Sequence, residues 1–154
     1  MNFWIFQAVP ERYDLVEKMK SLQSEQWFVT RYYDEIKAGD IVYFWLAGKV
    51  AGLYGWGQIL STAPYLMPDG DYRVHVSYQV RFMTASGKQD KAEAPIPKEL
   101  VKQNSELSLL QIIQAPQGTN FRVKPKEAEA VNELIKSAGF TEPQPSAQGK
   151  ESSQ

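Results

Sequence analysis

The stretch from Trp27 to Trp56 holds nearly half of the chain's aromatic residues, and the chemistry of the sequence concentrates there. Flat faces of Trp, Tyr and Phe hold uncharged planar ligands such as nucleobases, and each stacked base is worth about 1–3 kcal/mol. Two such walls hold one base without a basic groove. Taking a base out of a duplex costs a few kcal/mol, so edge hydrogen bonds and local phosphate contacts must add to the stacking. Arg31, Lys37 and Lys49 lie beside the stretch and are the candidates for phosphate contact. Trp4 and Trp56 sit inside apolar strands and read as core. Trp27 follows a polar loop, and Trp45 stands beside the small turn Leu46-Ala47-Gly48. Those two are placed for either a core or a pocket.

Other chemistry finds no support. His75 is the single histidine, on the polar face of a strand, and there is no cysteine to share a metal with it. A metal site would need carboxylates alone, and Asp34-Glu35 and Asp69/Asp71 fall near turns, where carboxylates are normally solvated. No nucleophile elbow is present. Gly52, Gly55 and Gly57 are not followed by a helix signal, so they do not form a phosphate cradle. No catalytic residue, metal or cofactor is expected, and the chain reads as a non-enzyme.

The net charge of −1 excludes a protein that grips a long duplex mainly through its phosphates. A local patch or a one-base pocket remains possible. The N-terminus MNFWIFQAVP lacks a basic region, and no apolar stretch approaches membrane-spanning length. A cytoplasmic monomer with no membrane partner is expected.

The elements that must position the aromatics follow from periodicity. Phe3 to Gln7 is a strand apolar on both faces. A helix starts at Pro10, with Tyr13, Val16, Met19 and Leu22 on its apolar side. Ser21 to Gln26 reads as a loop, and a helical turn runs from Trp27 to Ile36. Ile41 to Leu46 is a strand between turns. Val50 to Leu60 is its glycine-rich partner, with bends, bulges or a close ligand at the glycines. Ser61 to Gly70 is a loop, and Tyr72 to Met83 is one long strand of strict alternation. Ala85 to Pro97 is loop-like. Lys98 to Gln103 is a helical turn, Leu107 to Ile113 an apolar segment, and Phe121 to Val123 a strand. A final helix opens at Pro125 and ends at Gly139, with Ala128, Val131, Leu134 and Ile135 inward. Residues 141–154 have the composition of a flexible tail. The class is α+β, a small mixed or antiparallel β-barrel flanked by helices, as one domain over residues 1–140.

In this order the pieces resemble an EVE domain, of the PUA-like superfamily that also contains the YTH domains. The resemblance is carried by Phe3 to Pro10, by Trp27 with Arg31 and Tyr32, and by the turn-strand-turn Lys37 to Gly48. The glycine-rich strand Ala51 to Ile59, Pro64, and Gln117-Gly118-Thr119-Asn120-Phe121 before a helix complete it. It implies a PUA-like barrel with a pocket between the first helix and the barrel, and recognition of a modified base: methylated adenine in RNA for YTH domains, modified cytosine in DNA for some EVE domains. Carried over by position, the pocket is Trp27 with Ala8, Val9 and Pro10 and with Trp45, Leu46, Ala47 and Gly48. Arg31 looks structural or phosphate-contacting. YTH-like pockets carry Ser or Asn in the first loop, where this chain has Gln7, Ala8 and Val9. Edge recognition then falls to backbone groups or to Gln7.

The sequence therefore reads as a non-catalytic module that binds DNA or RNA through a modified or flipped base in an aromatic pocket. A protein-interaction module with exposed aromatics as hot spots is the alternative.

Overall fold

In the computed structural model, which describes residues 1–83 and 93–143, the strands are β1 (Phe3–Ala8), β2 (Ser24–Val29), β3 (Ile41–Leu46), β4 (Gly52–Gln58), β5 (Tyr65–Leu66), β6 (Tyr72–Ser77), β7 (Val80–Arg81), β8 (Ile96–Pro97) and β9 (Asn120–Val123). The helices are α1 (Leu15–Ser21), α2 (Lys98–Gln103), α3 (Gln111–Gln114) and α4 (Pro125–Ser137). The opening apolar run is central, as its composition requires. β1 pairs in parallel with β3 and antiparallel with β9. β4 continues from β3 and carries β7 and β8, which completes a six-stranded sheet. β2, β6 and β5 form a second sheet of three strands, bridged to the first at Ile59 and Val76. The α+β class holds, but the described strands form two sheets and not one closed barrel.

Every residue of β3 is buried, so alternation sorts its side chains between two cores. Val42, Phe44 and Leu46 join Trp4, Phe6, Trp27, Val74 and α1 on one face. Ile41, Tyr43 and Trp45 join Trp56, Phe82, Ile96 and the inner face of α4 on the other. The glycines of β4 serve chain crossings. A Cβ on Gly57 would stand 1.7 Å from the Ser77 carbonyl oxygen, and one on Gly52 would stand 2.2 Å from that of Ile96.

Several sequence expectations change. The first helix begins at Leu15 and not at Pro10, because the Asp14 side chain accepts the Glu17 amide and caps it there. Trp27 lies in a strand, β2, where a helical turn was expected. The 61–70 loop contains β5. The expected strand from Tyr72 to Met83 breaks at Tyr78-Gln79. There the Tyr78 N–H donates to the Gln23 carbonyl and the Gln79 N–H to that of Trp56, so the chain leaves one sheet for the other. In α4, Leu134 is only half-buried, while Glu127 is buried and accepts the Lys124 amide. Most of the 85–97 loop falls outside the described residues. Of the expected tail, the Thr141 carbonyl accepts the Trp56 indole N–H at 2.8 Å, Pro143 is buried, and residues 144–154 lie outside the described residues.

Asp40 pins the sheet's start. Its buried carboxylate accepts the Asn2 N–H at 3.0 Å, the Trp4 Nε1–H at 2.9 Å and the Lys37 N–H at 2.9 Å. Asp40→Ala orphans these donors, including one buried indole N–H, and is expected to cost about 3 kcal/mol in urea unfolding. Asp69→Ala removes a half-exposed ion pair with Arg73 and is expected to cost less than about 1 kcal/mol.

Candidate functional site

A cleft of about 800 Å³ runs along β2, between the segment that follows β1 and the 116–119 turn. That volume is in the range of small-ligand pockets, about 300–1,000 Å³. Trp27 forms its floor and is 6 % exposed. The indole packs against Phe6, Phe44 and the edge of Tyr13 at centroid distances of 5.9, 5.5 and 5.3 Å. Its Nε1–H donates to the Tyr78 hydroxyl at 2.8 Å, and that hydroxyl lies 2.7 Å from the hydroxyl of Tyr13. The polar atom of Trp27 is thus committed to the protein, and the cleft receives carbon surface. Burial pushes the Tyr78 phenol up to about 12, against the opposing pull of its bonds to Tyr13 and Trp27. Burial, with the Tyr78 bond, also raises Tyr13 well above the ordinary tyrosine range. Both stay neutral at physiological pH.

The polar groups of the cleft lie elsewhere. The His75 peptide bonds away from β2, its N–H to Ser61 Oγ and its C=O to the Leu60 N–H. With Tyr78 N–H bonded to Gln23 O, the register makes odd-numbered β2 residues pair with β6 and turns even-numbered peptides toward the opposite edge. On that edge the Gln26 N–H folds onto Glu25 Oε1 and the Thr30 N–H donates to Asn120 Oδ1. The Phe28 peptide is left between them, facing the cleft. Across from it, Gln7 Nε2 donates to the carbonyls of Pro116 and Gly118 at 2.9 and 2.8 Å. These two acceptors orient the amide and leave Oε1 as an acceptor with no partner among the described residues. The Phe28 side chain is 47 % exposed, and the Arg73 guanidinium stands 4.5 Å from its ring centroid.

The structure brings only part of the expected set together. Ala8, Val9, Trp27 and Ala47 line the cleft. Pro10 and Leu46 line a separate pocket of about 200 Å³ beyond Tyr13, and a Cβ on Gly48 would stand 3.4 Å from Pro10 Cγ. Trp45, 3 % exposed, belongs to the opposite core. Phe44 is the β3 residue that reaches Trp27, because Phe44 and Trp45 point to opposite faces of the strand. Arg31 is held by the protein through one side of its guanidinium: Nε donates to the Asn120 carbonyl and the group lies over Tyr32 and Phe121, while Nη2 is buried with no hydrogen-bond partner among the described residues. Arg31 and Lys37 line a second recess, and Lys49 is exposed on the turn after β3. None of these three cations lines the Trp27 cleft. Phe28 is the piece that the expected pocket lacked, while Gln7, expected at the edge of the ligand, does line the cleft. A period-two reading of Gln26, Phe28 and Thr30 would have found Phe28. His75 is half-buried, with Nε2 3.0 Å from Ser24 Oγ. Among the described residues, no group of three or more His, Cys, Asp or Glu could hold a metal. No described helix is long and apolar enough to cross a membrane.

The model of the EVE domain matches residues 2–134. A hypothetical protein from Leishmania major is similar in structure, with a TM-score of 0.69 at 13 % identity, over 89 % of this chain and 96 % of that one. A protein from Pseudomonas putida has a TM-score of 0.65 at 16 % identity, over 86 % and 98 %. Protein Atu2648 from Agrobacterium tumefaciens has 0.66 at 16 %, over 94 % and 100 %. At these identities the likeness is one of fold. No curated protein matches the chain.

Tyr78→Phe removes the hydroxyl that joins Trp27 to Tyr13, and the expected cost is about 1–3 kcal/mol at pH 7. The pH dependence has a defined sign. An unfolded tyrosine ionises near 10, whereas folded Tyr78 holds its proton to about 12. Its contribution is therefore full below pH 10 and lost as pH rises toward 12. Urea unfolding between pH 9 and 11.5 should show a shallower decline in the variant than in the wild type.

Proposed function

Because the chain belongs to the EVE domain family, we propose that it is a non-catalytic module that binds DNA or RNA by taking one modified or flipped base into the Trp27 cleft. One observation carries this reading: polar edge groups face an apolar floor. The Phe28 N–H and C=O offer a donor and an acceptor side by side, and Gln7 Oε1 offers an acceptor suited to an exocyclic amine. A base is apolar on its faces and polar only on its edges, so it matches this arrangement. Trp27, Ala8, Val9 and Ala47 supply carbon surface for the ring and for an added methyl group, whose burial is worth about 0.8 kcal/mol. Arg31, Lys37 and Lys49 stand outside the cleft, and Arg12 at its rim is the cation placed to meet the phosphate of the bound nucleotide.

A second reading is favoured by the same edge. β2 pairs only with β6 among the described strands, and Phe28 and Val9 are exposed beside its open side. An extended peptide could add there as a further strand. Dependence on base modification separates the two readings.

The test uses single-stranded DNA and RNA pentamers with a central 5-methylcytosine, 5-hydroxymethylcytosine or N6-methyladenine, beside unmodified controls. One modified pentamer should bind at least tenfold tighter than its control, a difference of about 1.4 kcal/mol. Ala47→Phe fills the cleft from a half-exposed position and should abolish that preference while the urea midpoint stays close to wild type. Equal binding of all pentamers by both proteins would exclude the cleft as a base pocket.

A further inference from the structure

We propose a second nucleotide subsite, in the recess beside Tyr33 and Tyr72, which stacks the base adjoining the one held at Trp27. It rests on the base-binding reading of the first cleft and adds a site to it. The recess has a volume of about 630 Å³ and is lined by Arg31, Tyr32, Tyr33, Lys37, Pro64 and Tyr72, among others.

Its position points to a nucleic-acid strand and not to an unrelated ligand. Thr30 lines the first cleft and Arg31 the second. Asp71 lines the first and Tyr72 the second. The two sites therefore meet at two chain steps, at the end where Val29 pairs with Tyr72. Consecutive Cα atoms are about 3.8 Å apart, so the linings of the two sites come within one residue of each other at both steps. Neighbouring nucleotides of one strand are the ligand that such adjoining sites suit.

The recess also carries a stacking surface. Tyr33 is 39 % exposed and packs on Tyr72, with ring centroids 4.4 Å apart and planes tilted by 32°. Tyr72 backs Tyr33, and the exposed part of the Tyr33 ring is the surface offered to a base. Stacking on such a face tolerates any base, as a flanking position requires. The backbone is committed to this display. Tyr32 has φ of 64°, the one non-glycine residue in the left-handed region among the described residues. Such strain persists only where surroundings enforce it, and it clusters at ligand sites. Here Gln111 Nε2 donates to the Tyr32 hydroxyl at 2.7 Å, Trp4 packs on its ring, and Arg122 stands 4.7 Å over it. Tyr32 is pinned inward while its neighbour Tyr33 is exposed.

The charges divide the recess between base and phosphate. Glu35 is engaged by Arg122, and Arg31 holds Asn120 through Nε and lies over Tyr32 and Phe121, with Nη2 buried and without a hydrogen-bond partner among the described residues. Asp34 is exposed and would repel a phosphate, but it accepts from a base amine. Lys37 is exposed and serves the linking phosphate.

Two probes test the subsite: the modified pentamer that binds best and the 5′-monophosphate of its central nucleotide. The wild type should bind the pentamer at least tenfold tighter than the monophosphate. Tyr33→Ser should lower pentamer affinity by tenfold or more and leave monophosphate affinity unchanged. Lys37→Gln should weaken the pentamer alone and flatten its salt dependence. If Tyr33→Ser binds the pentamer as the wild type does while Ala47→Phe loses both probes, the subsite is wrong and the first cleft stands. If Tyr33→Ser weakens both probes together with its urea midpoint, the tyrosine is structural and the subsite falls. If the wild type binds neither probe, both proposals fall.

Discussion

Phe6 lies beside Phe44 in the parallel register of β1 against β3, and the floor of the cleft is built on that pair. Both strands are buried on both faces, so register alone decides which side chain meets which core. A slip of one residue would put Trp45 under Trp27 and swing Trp4 away from Asp40. Asp40 prevents it. It precedes β3, Asn2 precedes β1, and the Asn2 N–H on Asp40 Oδ1 is answered by the Ile41 N–H on the Asn2 carbonyl. Trp4 adds a side-chain bond to the same carboxylate. The register is set at the strand starts, and the Phe6–Trp27–Phe44 cluster follows from it.

Trp27 belongs to the core and to the cleft at once. Its N–H, the Tyr78 hydroxyl and the Tyr13 hydroxyl form a chain that ties β2 to the corner between β6 and β7 and to the segment before α1. That bracing fixes the floor before any ligand arrives, and preorganisation lowers the ordering cost of binding. It also removes Trp27 as a hydrogen-bonding partner. The polar groups left to the cleft are the Phe28 peptide and the Gln7 amide, with Arg12 as the cation in its lining.

Much of the frame was legible in the sequence. β1, β3, β4 and α4 came through because long apolar runs and helical periodicity survive any tertiary context. The misses have physical causes. β2 opens on the polar run Ser24-Glu25-Gln26 and carries Phe28 outward, so a strand with Trp27 and Val29 inward looked like a loop and a turn. The alternation from Tyr72 to Phe82 is unbroken in sequence although the strand changes sheets at Tyr78, because alternation does not report the partner. Pro10 suits a helix start, but the Asp14 cap is stronger and moves the start to Leu15. Trp45 could not be told from Phe44, since all six residues of β3 are buried and only register separates the faces. Arg31 and Lys37 are near Trp27 in sequence, yet the turn at Tyr32 carries them into the neighbouring recess. Ala8, Val9, Trp27 and Ala47 do line one cleft. Phe28 went unread with the strand that holds it.

The most direct test of a base-sized cleft at Trp27 is a titration of ¹⁵N-labelled protein with the nucleoside of the preferred modified base, followed by amide and indole NMR shifts. A nucleoside carries no phosphate, so its binding reports base contacts and not phosphate contacts. The predicted result is saturable shifts at the Phe28 amide, the Trp27 indole, the Gln7 side-chain amide and residues 117–119, with α4 unmoved. Saturable shifts confined to another surface, or none at concentrations where the pentamer binds, would contradict the account.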